Sequence, residues 1–185
     1  MILITTSHRP SPRTRSFAKD LASVIPFSHK VTRGHKTIQE LAIEAYSHGF
    51  NYVLVICEKR GNPSKIDIYK VNINGQFING IKIYSWVLKG VRLSREIPGV
   101  SRIYNPKSVY VDYSQCISND CFLIADTMIN IFRKIITENM YDLKIVLNDS
   151  KYITISWLRP DNRVTGPRIN VLKVIDYERQ GHGDR

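Results

Sequence analysis

Cysteine is scarce and odd in number: Cys57, Cys116 and Cys121 are the only three in 185 residues. They show no C-x-x-C spacing, so neither a zinc ribbon nor a thioredoxin-type pair is spelled out, and the expectation is reduced thiols without a disulfide framework. The five histidines (His8, His29, His35, His48, His182) form no H-x-x-x-H pair, which leaves no local metal-binding motif. Long apolar runs are missing too. The longest, Cys121 to Ile136, is broken by Asp126, Asn130, Arg133 and Lys134, well short of a spanning helix. Met1 to Ser7 is too short for a signal-peptide core, and Arg9, Arg13 and Arg15 follow at once. Low-complexity tracts and basic tails are absent. A compact, soluble, cytoplasmic protein is expected, with no membrane contact.

Acidic residues are the other shortage. Lys and Arg number 27 against 16 Asp and Glu, a formal net charge of +11. So large a surplus on one domain-sized chain points to a polyanion, nucleic acid before an acidic membrane. The first 70 positions hold only Asp20, Glu40, Glu44, Glu58 and Asp67, too dispersed for the acid cluster of a metal-dependent nuclease. Glu58 reads as the partner of a neighbouring Lys or Arg. Gly34-His35-Lys36-Thr37 is no phosphate-binding P-loop, because Ser28 to Gly34 supplies no second glycine at the required spacing. Cys57 ends an apolar run and reads as inert packing. No catalytic residue, metal, cofactor or small-molecule substrate is expected. The pattern is that of a binder.

The chain alternates strand and helix signals. Ile2 to Thr6 is a β-type run. Ser11-Pro12 then reads as an N-cap and first helical position, with Phe17, Leu21, Val24 and Ile25 on one face and Pro26 as the stop. After a brief extended segment, His29 to Val31, comes the capping box Thr37-Ile38-Gln39-Glu40, and a helix burying Ile38, Leu41, Ala42 and Ala45. Tyr52 to Cys57 is a continuous apolar strand. Lys65 to Asn72 and Gly80 to Leu88 flank the Asn74-Gly75 turn signal. Further strands are expected at Val109 to Asp112, Leu143 to Leu147, Tyr152 to Leu158 and Ile169 to Tyr177, around a long core helix at Ser118 to Ile136. Trp86 and Trp157 fall on strands and read as core. The fold class is α/β with mixed sheets and helices. A second set of strands around one helix reads as a diverged copy of the first.

Charge is concentrated. Arg9, Arg13, Arg15, Lys19, Lys30, Arg33 and Lys36 face one acid, Asp20, in the first 36 residues. If the early strands are parallel, the loops His8 to Arg13, Arg33 to Lys36 and Glu58 to Pro63 emerge on one rim. Two of them lie at helix N-termini, where free amides suit a phosphate. The expected RNA contacts are Arg9, Arg13, Arg33, Lys36, Lys59 and Arg60, supported by Arg15, Lys19 and His35, with Gly34 and Gly61 opening backbone amides to phosphate. Arg163 and Arg168, beside Gly166-Pro167, form a second, weaker candidate surface.

These loops resemble a known family. Thr5-Thr6-Ser7 running into Arg15-Ser16-Phe17-Ala18-Lys19-Asp20-Leu21 resembles the opening of Brix-domain proteins. Arg33-Gly34, Glu58-Lys59-Arg60-Gly61-Asn62-Pro63 and Gly166-Pro167-Arg168 are similar to later family motifs, in family order. The resemblance implies a single Brix domain over residues 1–185, built of two similar lobes, 1–93 and 94–185. Each lobe would be similar to the anticodon-binding domain of class II aminoacyl-tRNA synthetases. It also implies a non-enzymatic ribosome-assembly factor that binds precursor ribosomal RNA and meets pre-ribosomal particle proteins. A bare domain without long extensions looks like the archaeal members. The rivals are a tRNA-binding accessory module, an RNA-processing enzyme, and a protein-interaction module that meets an acidic partner.

Overall fold

The computed structural model describes residues 1–180, so His182 lies outside the described residues. Strand β1 (Ile2–Thr6) is buried along its length, with Ile2 and Ile4 in one core layer and Leu3 in another. Helix α1 (Pro12–Val24) starts as its sequence dictates: the Ser11 hydroxyl accepts the Thr14 amide at 3.2 Å and Pro12 opens the first turn. Phe17, Ala18, Leu21 and Val24 form its buried stripe. The short β2 (Ser28–Lys30) leads to α2 (Ile38–Ser47), whose capping box is complete: the Glu40 carboxylate accepts the Thr37 amide at 2.7 Å, and the Thr37 hydroxyl accepts the Glu40 amide at 3.2 Å.

β3 (Tyr52–Lys59) runs parallel to β1, and β2 pairs with the other side of β1, also in parallel. β4 (Asn62–Asn74) and β5 (Phe77–Arg92) then form a long antiparallel hairpin. Both extend past the expected segments, because backbone pairing carries through Asn62, Asn74 and Asn79, which add nothing to a hydrophobic pattern. After a single 3-10 turn (Ser94–Glu96) come β6 (Val109–Gln115), α3 (Asn119–Phe132), β7 (Leu143–Asp149), β8 (Ile153–Leu158), β9 (Val164–Asp176) and the short α4 (Tyr177–Gln180).

The strands make one nine-stranded mixed sheet in the order β2-β1-β3-β4-β5-β9-β8-β7-β6, rather than separate sheets. β1-β3-β4-β5 and β6-β7-β8-β9 share one plan, a parallel pair followed by two antiparallel strands. They meet back to back where β5 pairs with β9. α1 and α3 pack on one face, in a core containing Trp86 and Trp157, while α2 covers part of the other with Leu41 and Ala45 on Leu3, Val53 and Val55.

Two expectations are corrected. α3 stops at Phe132 rather than Ile136, because the chain beyond it turns to pair with the β6 edge. The Val109 amide donates to Ile135 O at 3.0 Å and the Thr137 amide to Val109 O at 2.9 Å. The expected absence of disulfides also fails: Cys116 and Cys121 are bonded, with Cα atoms 5.4 Å apart. One follows β6 and the other lies in the first turn of α3, so the tight corner brings them within bridging reach. A spacing of five carries no sequence signature.

Candidate nucleic-acid interface

The three early loops meet. The Ser7 amide donates to Ile56 O at 2.8 Å, continuing the β1–β3 ladder. His8 Nδ1 lies 2.8 Å from Gly34 O, tying the first loop to the second. The Ser11 hydroxyl donates to Gly61 O at 2.8 Å, tying the first to the third. The third loop is a two-residue turn between Lys59 and Asn62, with Arg60 at φ 51° and Gly61 at φ 78°. Two successive left-handed residues are what this type of hairpin turn requires, and they explain the glycine. Arg9 is also left-handed, at φ 51°. This uncommon conformation for a side-chain-bearing residue turns the chain sharply before Pro10.

Glu58 is not the partner of a nearby Lys or Arg. Its carboxylate accepts the Ser11 amide at 2.8 Å and the Thr14 hydroxyl at 2.6 Å, and these bonds hold its pKa below the usual carboxylate range. The first turn of α1 therefore already carries an anion. Glu40 occupies the equivalent position on α2. The amides of Ser11 and Thr14 on α1, and of Thr37 and Glu40 on α2, are thus committed, and each helix start already has a carboxylate beside it.

The basic side chains of the rim divide in two. Arg13 reaches across to the 3-10 turn, where its guanidinium forms a two-pronged pair with Glu96 and donates to Val91 O at 3.1 Å. Arg33 is buried, with Nε donating to Lys36 O at 2.7 Å, and Lys36 pairs with Glu44 at 2.8 Å. These three hold the loops in place rather than extend from them. Arg9, Arg15, Lys19, Lys59 and Arg60 are exposed, as is His35, and among the described residues none of the six makes a side-chain hydrogen bond or ion pair.

The second basic stretch is also brought near. Arg168 stands directly across from Arg92 in the β5–β9 ladder, and its Nε is buried with no partner among the described residues. The Arg92 guanidinium donates to Glu96 O at 3.1 Å, and like charges directly opposite each other in a ladder are unfavourable. Arg163, in the preceding turn, is exposed and 3.6 Å from Asp161. Gly166 has a packing role: a Cβ there would sit 2.5 Å from Val24 Cγ1 of α1, and its φ is +69°. Sequence reasoning missed Arg92 and Arg95, which flank Glu96 and reach the start of α1 through the Arg13 pair. Nothing local could have found them, since the contact spans 83 residues.

Among the described residues no three His, Cys, Asp or Glu side chains group as metal ligands. Among the same residues, no helix is long and apolar enough to cross a membrane. Cys57 lies 3.6 Å from the Asp67 carboxylate, and burial, with that charge, pushes its thiol up to about 11.

Fold and rim together define a mixed α/β protein that gathers basic loops beside the first helix. No family model matches the chain, but individual proteins do. It is 48% identical over 93 residues to a probable Brix domain-containing ribosomal biogenesis protein of Aeropyrum pernix, a segment covering 50% of each chain. It is 32% identical over 132 residues to the protein of that name from Saccharolobus solfataricus, covering 70% of this chain and 74% of the other. The crystal structure of a probable ribosomal biogenesis protein from Aeropyrum pernix K1 superposes with a TM-score of 0.75 at 31% identity, over 93% of this chain and 95% of that one. The chain belongs to the Brix domain-containing ribosomal biogenesis proteins. Its match spans about half the length of the first of these relatives.

Proposed function

We propose that the protein is a non-enzymatic factor of ribosome assembly that holds precursor ribosomal RNA, in the cytoplasm, alongside proteins of the pre-ribosomal particle. The observation that carries this reading is the division of labour at the rim. Arg13, Arg33 and Lys36 brace three loops, and Arg9, Arg15, Lys19, Lys59 and Arg60 are left unpaired among the described residues and facing solvent. Unpaired cations held on a braced scaffold bind phosphate without first losing an internal partner. Arg168, with Arg92 beside it, extends the track onto the second half. In this reading residues 1–93 and 94–185 are two lobes, each laid out like an anticodon-binding domain, and the RNA is recognised by shape and unpaired segments. Crosslinking the protein to RNA in its native cells and sequencing the attached fragments tests it. Reads concentrated at a few precursor ribosomal positions support the proposal. Reads dominated by tRNA would instead identify an accessory tRNA-binding module, and background levels would overturn RNA binding altogether.

A further inference from the structure

The junction between the two halves holds a second cationic site that shares no residue with the rim. A cleft of about 620 Å³ opens there, with Asn51, Tyr52 and Lys70 contributed by the first half and Asn130, Arg133 and Lys134 by the second. Its size suits a small ligand or a short stretch of a polymer. No Asp or Glu lines this cleft. Lys70, Arg133 and Lys134 are exposed, and among the described residues none of them has an ion-pair partner. Glu178 borders a smaller adjoining cavity of about 130 Å³ that shares Tyr52, Lys70 and Asn130 with the cleft, and its carboxylate accepts the Tyr84 hydroxyl at 3.3 Å.

The bland account covers only part of this. Arg133 and Lys134 follow the carboxyl end of α3, where cations offset the helix dipole. Lys70 comes from β4, in the other half of the sequence, so the helix dipole does not account for it; it borders both this cleft and the cavity of Glu178. Like charges drawn from two halves of a fold raise the local potential, and an anion between them relieves it. Tyr52 stays a neutral hydrogen-bond donor at physiological pH, because burial, with the Glu178 charge, raises its phenol pKa. Asn51 and Asn130 add amide donors.

We propose that this cleft binds phosphate groups, clamped between Lys70 on one side and Arg133 and Lys134 on the other. The phosphates belong either to an RNA strand crossing the junction or to a free polyphosphate such as that of a nucleotide; the recognising chemistry is the same. The site does not depend on the rim.

Nuclear magnetic resonance of the 185-residue chain tests the clamp, with sodium pyrophosphate and, separately, a short oligouridylate as probes. Saturating shifts of the Asn51 and Asn130 side-chain amides are expected. Affinity should drop at least tenfold in the Lys70→Gln/Arg133→Gln/Lys134→Gln variant, with Lys70→Gln alone as a milder check on folding. Saturation by pyrophosphate assigns the site to free polyphosphate, and saturation by the oligonucleotide alone assigns it to a strand. Shifts that never saturate, or an affinity unchanged in the triple variant, would overturn the proposal. The rim variant Arg9→Gln/Arg60→Gln should leave the response intact, so the two sites fail separately.

Discussion

Glu58 and Ser11, 47 residues apart, are joined by a 2.8 Å hydrogen bond from the Ser11 amide to the Glu58 carboxylate. The end of β3 thereby caps the start of α1. The second half repeats the device: the Asp149 carboxylate, ending β7, accepts the Ile117 amide at 3.0 Å and the Ser118 amide at 2.6 Å before α3. In each half a carboxylate at the end of one parallel strand fixes the helix that follows the other. Glu58→Ala should lower stability by about 1–2 kcal/mol, the usual cost of a lost cap with charge-assisted bonds. Denaturant unfolding followed by circular dichroism reads it. A change within error would mean that water replaces the carboxylate.

The Arg13–Glu96 pair separates bracing from binding. Arg13→Ala should cost about 1–2 kcal/mol, less than a buried pair because both side chains are about one-third exposed. The salt dependence of RNA affinity should stay nearly unchanged in that variant. Arg9→Gln/Arg60→Gln should do the reverse, leaving the melting temperature alone and flattening the slope of log K against log salt by about 1.5–2. Fluorescence anisotropy across a salt series measures both. Equal slopes in the two variants would remove the rim from the RNA path.

Gly166 is held by α1. An alanine there meets Val24 Cγ1 at 2.5 Å while also adopting φ +69°, so Gly166→Ala should cost about 2–3 kcal/mol. Adding Val24→Ala removes the clash but not the backbone strain, and should bring the double variant above the value expected from adding the two single losses. Strictly additive losses would show that the helix already gives way. The glycine of the Gly-Pro-Arg segment thus has a packing reason of its own.

Asp67 carries the clearest pH dependence. Burial alone would raise its pKa, but hydrogen bonds from Ser85 and Lys82 and the charges of Lys82 and Lys65 outweigh that and hold it below the usual carboxylate range. A depressed folded-state pKa contributes stability that is fully present above the ordinary carboxylate range and lost as pH falls through the lower folded value. Stability should therefore be flat from neutral pH to about pH 5 and then fall with acid. Asp67→Asn should flatten that fall and cost about 2–3 kcal/mol at pH 7, somewhat under the penalty for a fully buried pair because the lysines reach solvent. Melting temperatures from pH 3 to 7 provide the check. An identical acid slope in the variant would assign it to other carboxylates.

Much of the local structure was legible in the sequence because its causes are local. Ser11-Pro12 and Thr37 to Glu40 cap helices through atoms three residues apart, and the apolar stripe of Phe17 and Leu21 needs only the helical period. The clustering of early cations, and the meeting of their loops, followed from parallel strands. What the tertiary structure alone decided is which of those cations remain unpaired. Arg13 and Arg9 are four positions apart and chemically identical, yet one is bound to Glu96 across 83 residues and the other faces solvent. Glu58, the Cys116–Cys121 bond and the Lys70–Arg133–Lys134 cleft depend likewise on chain paths that local pattern does not encode. Composition fixed the surplus of charge and the periodicity fixed the elements. Long-range contacts chose the partners, because a side chain pairs with what the packed backbone brings within 3 Å and not with its neighbours in sequence.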